Sequence, residues 1–197
     1  MRKYLSNFID YIGLLVGYIP IHSLRIFYYR CFMKVKIGKN THIHRCCQIR
    51  RGQIKIGDNV IIGENALLDG RRGLFIGNNV NFSSNVSIYT LQHDYNSATF
   101  DAVGGPVNIN DNCWISSNSM VLPGVTINEG AVIAAMCLVN KDVDEYTLVA
   151  GVPFRKIKDR NREIKYKLNY HKLFFKDFDI FYYCTHGNLG VMIFRNF

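Results

Sequence analysis

The amino-acid sequence predicts an all-β fold in which short strands coil into a parallel β-helix, and three observations lead to this prediction. Aliphatic residues recur every six positions over most of residues 37–143. A small or β-branched residue follows four positions after most of them, and Gly, Asn and Asp recur between the two. A period of six fits neither an α-helix nor an alternating strand, so it indicates short strands joined by tight turns.

The six-residue positions predict the interior of the fold. They are Ile37, Ile43, Ile49, Ile56, Ile62, Leu68, Ile76, Phe82 and Ile88, followed after a gap by Ile109, Ile115, Val121, Ile127, Ile133 and Val139. Each strand points one of these side chains inward, and Gly and Asn accept the unusual dihedral angles of the turns. Three strands close one triangular coil of about eighteen residues, and coils stack at roughly 4.8 Å by backbone pairing. The chain therefore has room for about five coils, whose ends need caps.

The cysteines and histidines of the repeat predict packing rather than metal binding. Three cysteines fall at the small-residue position: Cys47, Cys113 and Cys137. There they are expected to be buried, like other small apolar side chains. His42 and His44 flank the inward Ile43, so both are expected to point outward, and their spacing matches no common zinc pattern. We therefore expect no metal site.

The positive charge of the chain is concentrated at its two ends. The net charge is +9, yet no Lys or Arg occurs between residues 73 and 140. This distribution suits local binding of phosphates or of an anionic surface. Because the basic C-terminal region contains no recognised nucleic-acid-binding module, we expect no nucleic-acid partner.

The repeat resembles the hexapeptide-repeat acyltransferases. The segments that carry the resemblance are Asn112-Cys-Trp-Ile-Ser-Ser117, Leu-Pro-Gly-Val-Thr-Ile at 122–127, Lys141-Asp142-Val143, and Val149-Ala-Gly-Val-Pro-Phe-Arg-Lys-Ile-Lys158. They are similar to segments of galactoside, maltose and xenobiotic acetyltransferases and of O-acetyltransferases of bacterial surface polysaccharides. The resemblance implies a left-handed β-helix, acetyl-CoA as co-substrate, and a homotrimer with active sites between subunits.

The resemblance also implies where catalysis takes place. In that family a loop interrupts the β-helix and carries the catalytic histidine, and His93 holds the matching place in the interruption at 89–108. A histidine can take the proton of a hydroxyl group near neutral pH, because its ordinary pKa is about 6.5. Ser117 is the implied donor to the oxyanion, and the adjacent Asp94 is a candidate to orient the imidazole. A solvated loop histidine is the alternative interpretation of His93.

Coenzyme and acceptor contacts follow from the same resemblance. The residues implied for the coenzyme are Trp114 and Ala135 along the pantetheine arm and Lys141, Arg155 and Lys158 at the phosphates. A solvated basic tail and simple packing of the Trp114 ring are the alternatives. The family residues that hold a galactoside align with Gly63 and Arg71, so those roles are not carried over. Asp69 and Arg71 are candidates to contact a different acceptor, or else turn residues of an insertion.

The two ends extend beyond the repeat. We divide the chain into an apolar helical segment (1–34), a β-helix domain (35–154) and a C-terminal basic helix with an aromatic tail (155–197). For the N-terminal segment, docking on the prism or on a neighbouring subunit, an interfacial membrane anchor and a true membrane span compete. The apolar run is short for a span, which favours docking or interfacial binding. At the other end, four residues share one face of a helix predicted over about 160–176: Ile164, Leu168, His171 and Phe175.

The sequence therefore favours an acetyl-CoA-dependent O-acetyltransferase that acts on a sugar hydroxyl of a bacterial surface polysaccharide. Alternatives are a xenobiotic or other small-molecule acetyltransferase, N-acetylation of a nucleotide amino sugar, O-acetylation of serine, and a non-catalytic β-helix used for assembly. Six cysteines without disulfide spacing and an apolar start that lacks a cleavage site predict a cytoplasmic protein, with contact to the inner face of the membrane as an extension of that prediction.

Overall fold

The computed structural model describes residues 2–169, which form a parallel β-solenoid with two helices at its N-terminal end. The helices are α1 (Arg2–Gly17) and α2 (His22–Cys31). The strands are β1 (Lys36–Ile37), β2 (His42–Ile43), β3 (Gln48–Arg50), β4 (Ile54–Ile56), β5 (Ile61–Ile62), β6 (Leu67–Asp69), β7 (Leu74–Ile76), β8 (Asn81–Phe82), β9 (Ser87–Ile88), β10 (Leu91–His93), β11 (Ala102–Gly104), β12 (Val107–Ile109), β13 (Trp114–Ile115), β14 (Met120–Val121), β15 (Thr126–Ile127), β16 (Val132–Ile133), β17 (Leu138–Val139), β18 (Thr147–Ala150) and β19 (Arg155–Asp159).

Three parallel sheets form the sides of a triangular prism. Face A has the order β1-β4-β7-β12-β15, face B the order β2-β5-β8-β13-β16-β18, and face C the order β3-β6-β9-β14-β17. Strand β19 adds to face B antiparallel to β18. The chain passes from face A to B to C and back to A, which makes five complete coils and the beginning of a sixth, close to the number predicted.

The core is built from columns of inward side chains, as the six-residue period predicts. On face B the register places one residue of each coil above the next: Ile43, Ile62, Phe82, Ile115, Ile133 and Val149. Each of these side chains is at most 2% exposed. Asparagine holds the left-handed backbone conformation at many of the corners, at Asn40, Asn59, Asn65, Asn79, Asn85, Asn112 and Asn118. The turn chemistry inferred from the sequence is therefore present.

The two helices cover the N-terminal end of the prism. Val16, Ile26 and Tyr29 are buried and join the core of the coils. Gly17 lies so close to the first coil that an added Cβ would be 3.0 Å from the Cys47 carbonyl oxygen. Arg25 is fully buried and donates to the carbonyl oxygen of Ile43, 3.0 Å away. The helices therefore supply the cap that the repeat needs, and no helix of residues 2–169 is long and apolar enough to cross a membrane.

One expectation is refined by the structure, and another needs correction. His42 points away from the prism interior, but it is only 8% exposed because the His22 ring of α2 stacks on it at 3.9 Å. The predicted C-terminal helix is absent from residues 160–169, and the rest of it, with His171 and Phe175, lies outside the described residues. The backbone there is held by the prism instead, since the Leu168 amide donates to Asn79 Oδ1 at 2.7 Å. Among the described residues, no group of three or more His, Cys, Asp or Glu side chains could hold a metal ion.

Candidate active site

The interruption of the repeat forms a β-hairpin that leaves the edge between faces C and A. Strands β10 and β11 pair antiparallel, with His93 opposite Ala102 and Leu91 opposite Gly104. Gly104 is required at the base, because a Cβ there would lie 2.2 Å from the Thr90 carbonyl oxygen. The hairpin stands outside the prism, and His93 near its tip is exposed to solvent.

A backbone carbonyl group orients the imidazole of His93. Its Nδ1 atom lies 2.8 Å from the carbonyl oxygen of Phe100. Since a carbonyl oxygen can only accept, Nδ1 must carry the proton, and in the neutral ring Nε2 is left with a free lone pair. The Phe100 ring also stacks on the imidazole, with ring centroids 3.9 Å apart and planes 10° apart. His93 is therefore fixed in the tautomer that a general base acting through Nε2 requires.

The tip of the hairpin is shaped by its own hydrogen bonds. Phe100 adopts a left-handed conformation, with φ of 56°. Ser97 Oγ donates to Asp101 Oδ2 at 2.7 Å, and this bond, with one from Thr99, holds the pKa of Asp101 below its ordinary value. Asp94 accepts from the Asn96 amide at 2.9 Å. Asp94 thus closes the turn, and the group that orients His93 is the carbonyl of Phe100, for which no residue type is a sequence signal.

Asp69 and Arg71 lie beneath the base of the hairpin. The Asp69 side chain is fully buried and accepts two hydrogen bonds from the Arg71 guanidinium, both 2.9 Å. Its second oxygen also accepts from the Thr90 amide at 3.1 Å, and Arg71 Nη2 reaches the Leu91 carbonyl at 3.5 Å. Burial acts to raise the pKa of Asp69, but the hydrogen bonds from Arg71 and Thr90 outweigh it and hold that pKa below its ordinary value. Because its carboxylate is buried and paired, Asp69 braces the base of the hairpin, and of the two interpretations left open for it the structure favours a structural role over contact with an acceptor.

Ser117 and Ala135 lie on a different edge of the prism, between faces B and C. Each follows a strand of face B, and the Met136 amide donates to the Ser117 carbonyl at 3.0 Å. The two residues therefore occupy the same position in successive coils. His93 leaves the prism from the edge between faces C and A, so one chain does not place Ser117 and His93 on one edge.

Trp114 and Lys158 line one cavity. It has a volume of about 620 Å³ and lies between face B and the chain that follows β19. Its lining includes Asn81, Trp114, Val132, Leu148, Lys158 and Tyr166. The Trp114 ring is 44% exposed, and its Nε1 donates to Ser83 Oγ at 3.2 Å. The cavity therefore has an apolar wall with a cation at its rim.

Lys141 and Arg155 lie at the C-terminal end of the prism and are both exposed. Lys141 Nζ is 5.4 Å from the centre of the Phe154 ring, in a cation–π contact. Arg155 begins β19, where it pairs with Ala150. Lys141 is on the same edge as the hairpin, whereas β19 belongs to face B. The predicted site residues thus fall into two groups: His93, Asp94, Asp69, Arg71 and Lys141 at the first edge, and Ser117, Ala135, Trp114, Arg155 and Lys158 on or beside face B.

Comparisons with known proteins agree with this architecture. Residues 106–141 match the family model described as bacterial transferase hexapeptide (six repeats). The chain is 30% identical over 156 residues to the putative acetyltransferase YvoF of Bacillus subtilis (strain 168), covering 78% of this chain and 76% of YvoF. It is 30% identical to the putative colanic acid biosynthesis acetyltransferase WcaF of Escherichia coli (strain K12), covering 71% of this chain and 77% of WcaF.

A solved structure shows the same fold. It is a hexapeptide-repeat-containing acetyltransferase of Vibrio cholerae O1 biovar eltor complexed with acetyl coenzyme A. The TM-score is 0.73 at 24% identity, with 81% of this chain and 88% of that one covered. This chain belongs to the hexapeptide-repeat acetyltransferases, and the predicted fold, a left-handed parallel β-helix with a helical N-terminal segment, is confirmed.

Proposed function

We propose that this acetyltransferase transfers the acetyl group of acetyl-CoA to a sugar hydroxyl of a bacterial surface polysaccharide, with His93 as the general base. The observation that carries the proposal is the 2.8 Å contact between His93 Nδ1 and the Phe100 carbonyl. It leaves Nε2 as the basic atom on an exposed hairpin, where an acceptor can reach it.

The acetyl transfer needs a group that takes the proton of the hydroxyl group and later gives it to the leaving thiolate. His93 Nε2 takes the proton of the hydroxyl group while the hydroxyl oxygen attacks the thioester carbon. The tetrahedral intermediate carries a negative oxygen, which Ser117 and neighbouring amides stabilise. The carbon–sulfur bond then breaks, and the imidazolium returns its proton to the leaving thiolate. The products are the acetyl ester and free coenzyme A.

The cavity on face B is the proposed site for the coenzyme. Trp114 and, at the neighbouring edge, Ala135 would flank the apolar pantetheine arm. Lys158 and Arg155 would meet the phosphates, and so would Lys141, whose ammonium group lies 5.4 Å from the centre of the ring of Phe154, the residue before Arg155. In support, the Trp114 ring is partly exposed beside Lys158 in one cavity of about 620 Å³.

A homotrimer would complete the site. His93 and Ser117 belong to different edges of one prism, so the base from one subunit and the oxyanion donor from the next can meet in a cleft between two copies. Cyclic symmetry would repeat this cleft three times.

The acceptor class is the sugar of a surface glycan, and the name of the relative WcaF supports it. The reaction would take place in the cytoplasm, on a precursor that is later exported. Of the two candidates for contact with the acceptor, Asp69 and Arg71, we propose Arg71. Its side chain is 39% exposed next to the hairpin, whereas Asp69 is buried.

The first experiment measures thiol release from acetyl-CoA by the purified chain with oligosaccharides and nucleotide amino sugars as acceptors. We expect His93→Gln to lower turnover by roughly 10²–10⁴-fold and to leave acetyl-CoA binding intact. Gln92→Ala is the matched control, since neighbouring side chains on a strand point to opposite sides. Full turnover by His93→Gln would show that His93 is not the general base. Transfer to the amino sugar alone would show that the acceptor is an amine and not a hydroxyl group.

A second experiment tests the composite site. Ala135→Trp should block the pantetheine arm, so chains with Ala135→Trp and chains with His93→Gln are each expected to be inactive. When the two are co-expressed, about one quarter of the interfaces should combine an intact His93 with an intact Ala135. Recovery near that level supports a site shared by two subunits, and no recovery places both residues in a site within one chain.

A further inference from the structure

The solvent-facing side of α1 is aromatic. Four residues on that side of the helix and the residue that follows its end lie at spacings of four and three and form what we call the aromatic stripe: Tyr4, Phe8, Tyr11, Leu15 and Tyr18. Their side chains are between 51% and 80% exposed. The opposite side of α1, with Val16 and Gly13, is buried against α2 and the first coil. A surface helix normally turns its polar side to water, so an apolar side left exposed indicates an interaction surface.

The second helix, α2, also exposes apolar side chains to solvent. Leu24 and Phe27 in α2 and Phe32 just after its end are each about half exposed. Phe27 also lines a cavity of about 620 Å³ between α2 and the first coil, together with Arg30 and Lys39. Apolar rings and cations therefore occur side by side at this end of the prism.

Positive charge is dense at this end of the chain, as it is at the other, although two of its arginines, Arg25 and Arg45, are buried. Residues 1–55 contain eleven Lys or Arg and one acidic residue, a net charge of +10 against +9 for the whole chain. The one acidic residue, Asp10, is paired with Arg51 at 3.0 Å. Lys34, Lys36 and Lys39 follow α2 and are exposed. A positive surface that carries exposed aromatic rings is complementary to an anionic lipid surface.

We propose that the two N-terminal helices dock the enzyme on an anionic phospholipid bilayer. The helix α1 lies in the interfacial plane with the aromatic stripe among the lipid chains, and the lysines after α2 meet the headgroups. A helix of 16 residues is too short to span the bilayer but long enough to lie on it. The charge excess favours lipid over a second copy of this chain, because two copies joined through the stripe would bring two strongly positive ends together.

Flotation with lipid vesicles tests the proposal on the full-length chain. We expect binding to vesicles of phosphatidylcholine mixed with phosphatidylglycerol, little binding to phosphatidylcholine alone, and release at high salt. The double variant Phe8→Gln/Leu15→Gln and the double variant Lys36→Glu/Lys39→Glu should each weaken binding by roughly tenfold or more. The matched controls are Ile157→Gln and Lys165→Glu, which change exposed residues beyond the last coil and should bind as the wild type does.

Two outcomes would overturn the proposal. One is no binding to the anionic vesicles, and the other is equal binding by the stripe variant and the wild type. If light scattering shows that Phe8→Gln/Leu15→Gln lowers the mass of the assembly while vesicle binding stays absent, a second copy of the chain covers the stripe instead. Thiol release with a soluble acceptor is expected to be unchanged in the stripe variant, so the docking surface can fail without the proposed acetyl transfer failing.

Discussion

The coils and the hairpin differ in what holds them. In the coils, the column from Ile43 to Val149 is at most 2% exposed, so removal of apolar surface from water stabilises it. The hairpin residues around His93 are exposed, and the hairpin is held at its base by the polar group of Asp69, Arg71 and Thr90. A closed prism has no concavity of its own at the edge between faces C and A, which is why we place the proposed base on the hairpin that leaves it there. Stability and catalytic geometry should therefore respond to different substitutions.

The largest expected effect is on the coils. Phe82 lies at the centre of the face B column and is 1% exposed. Phe82→Ala should lower the free energy of unfolding by about 3–5 kcal/mol, because the lost transfer energy is joined by the cost of a cavity. Urea unfolding followed by circular dichroism measures this loss.

The control for Phe82→Ala is Asn81→Ala on the same strand. Asn81 faces outward, so we expect a change within about 0.5 kcal/mol. The prediction would be contradicted if both variants unfolded at the same urea concentration. The Phe82→Ala molecules that remain folded should keep wild-type turnover, because the hairpin is braced from β6 and Thr90.

The next effect is on the brace of the hairpin. Asp69→Asn keeps the shape of the side chain but removes its charge, so Arg71 loses its ion pair and one amide at the base loses an ideal acceptor. We expect kcat to fall roughly tenfold to a hundredfold through misplacement of His93. The KM for acetyl-CoA should change less than twofold, which steady-state kinetics can show. A variant with normal kcat would mean that the coils alone position the hairpin.

The same substitution has a defined pH dependence. The pKa of Asp69 is lower in the folded chain than in the unfolded chain. Its charge therefore stabilises the fold at pH values above its unfolded pKa of about 3.9, and this contribution is lost as the pH falls through the folded pKa. The stability difference between wild type and Asp69→Asn, about 1–3 kcal/mol at pH 7, should shrink in acid. A difference that is constant with pH would show that the Asp69 charge is not what braces the hairpin.

The fold could be predicted from the sequence because its signal is repeated in every coil. One inward aliphatic residue, one small residue and one turn residue recur with every strand. A wrong assignment of one strand therefore leaves the assignment of the other strands unchanged. The position of His93 followed from the break in that repeat. Its orientation could not be predicted, because it depends on the Phe100 carbonyl, and any residue at position 100 carries a carbonyl.

The roles of Asp69 and of residues 160–169 were missed for a related reason. Asp69 was left open between contact with an acceptor and a turn residue, because the Thr90 amide that donates to its carboxylate lies 21 positions away in sequence. The helical spacing of Ile164 and Leu168 was overridden by tertiary hydrogen bonds to the prism edge. Arg160, for example, donates to the carbonyl groups of Asn112 and Gly130 at 2.9 and 2.8 Å. Contacts between distant segments leave no local pattern.

A smaller effect is expected from the coenzyme end. Lys141 is exposed, so its contribution to phosphate binding is screened by water and salt. Lys141→Ala should weaken acetyl-CoA binding by about three- to tenfold at low ionic strength and less at high salt. Isothermal titration calorimetry measures the acetyl-CoA affinity at low and at high salt. Lys165→Ala is the control for a general loss of charge. Equal affinities for the two variants would place Lys141 outside the coenzyme site.

The smallest expected effect is a change in the rate at which the buried Cys113 thiol is alkylated, which reports on opening of the coils. Burial raises the pKa of the Cys113 thiol to about 12, so in the folded chain only about one thiol in 10⁴ is ionised at pH 8. Cys31 is exposed and should be alkylated by iodoacetamide within the same assay, with peptide masses assigning each site. The Cys113 carbonyl accepts from the Asn81 amide at 3.0 Å, so Cys113 lies against the coil that contains Phe82. Alkylation of Cys113 should therefore be slow in the wild type and in Asp69→Asn, and faster in Phe82→Ala. If Asp69→Asn also exposed Cys113, the brace of the hairpin and the core of the coils would open together, and the separation between scaffold and site would not hold.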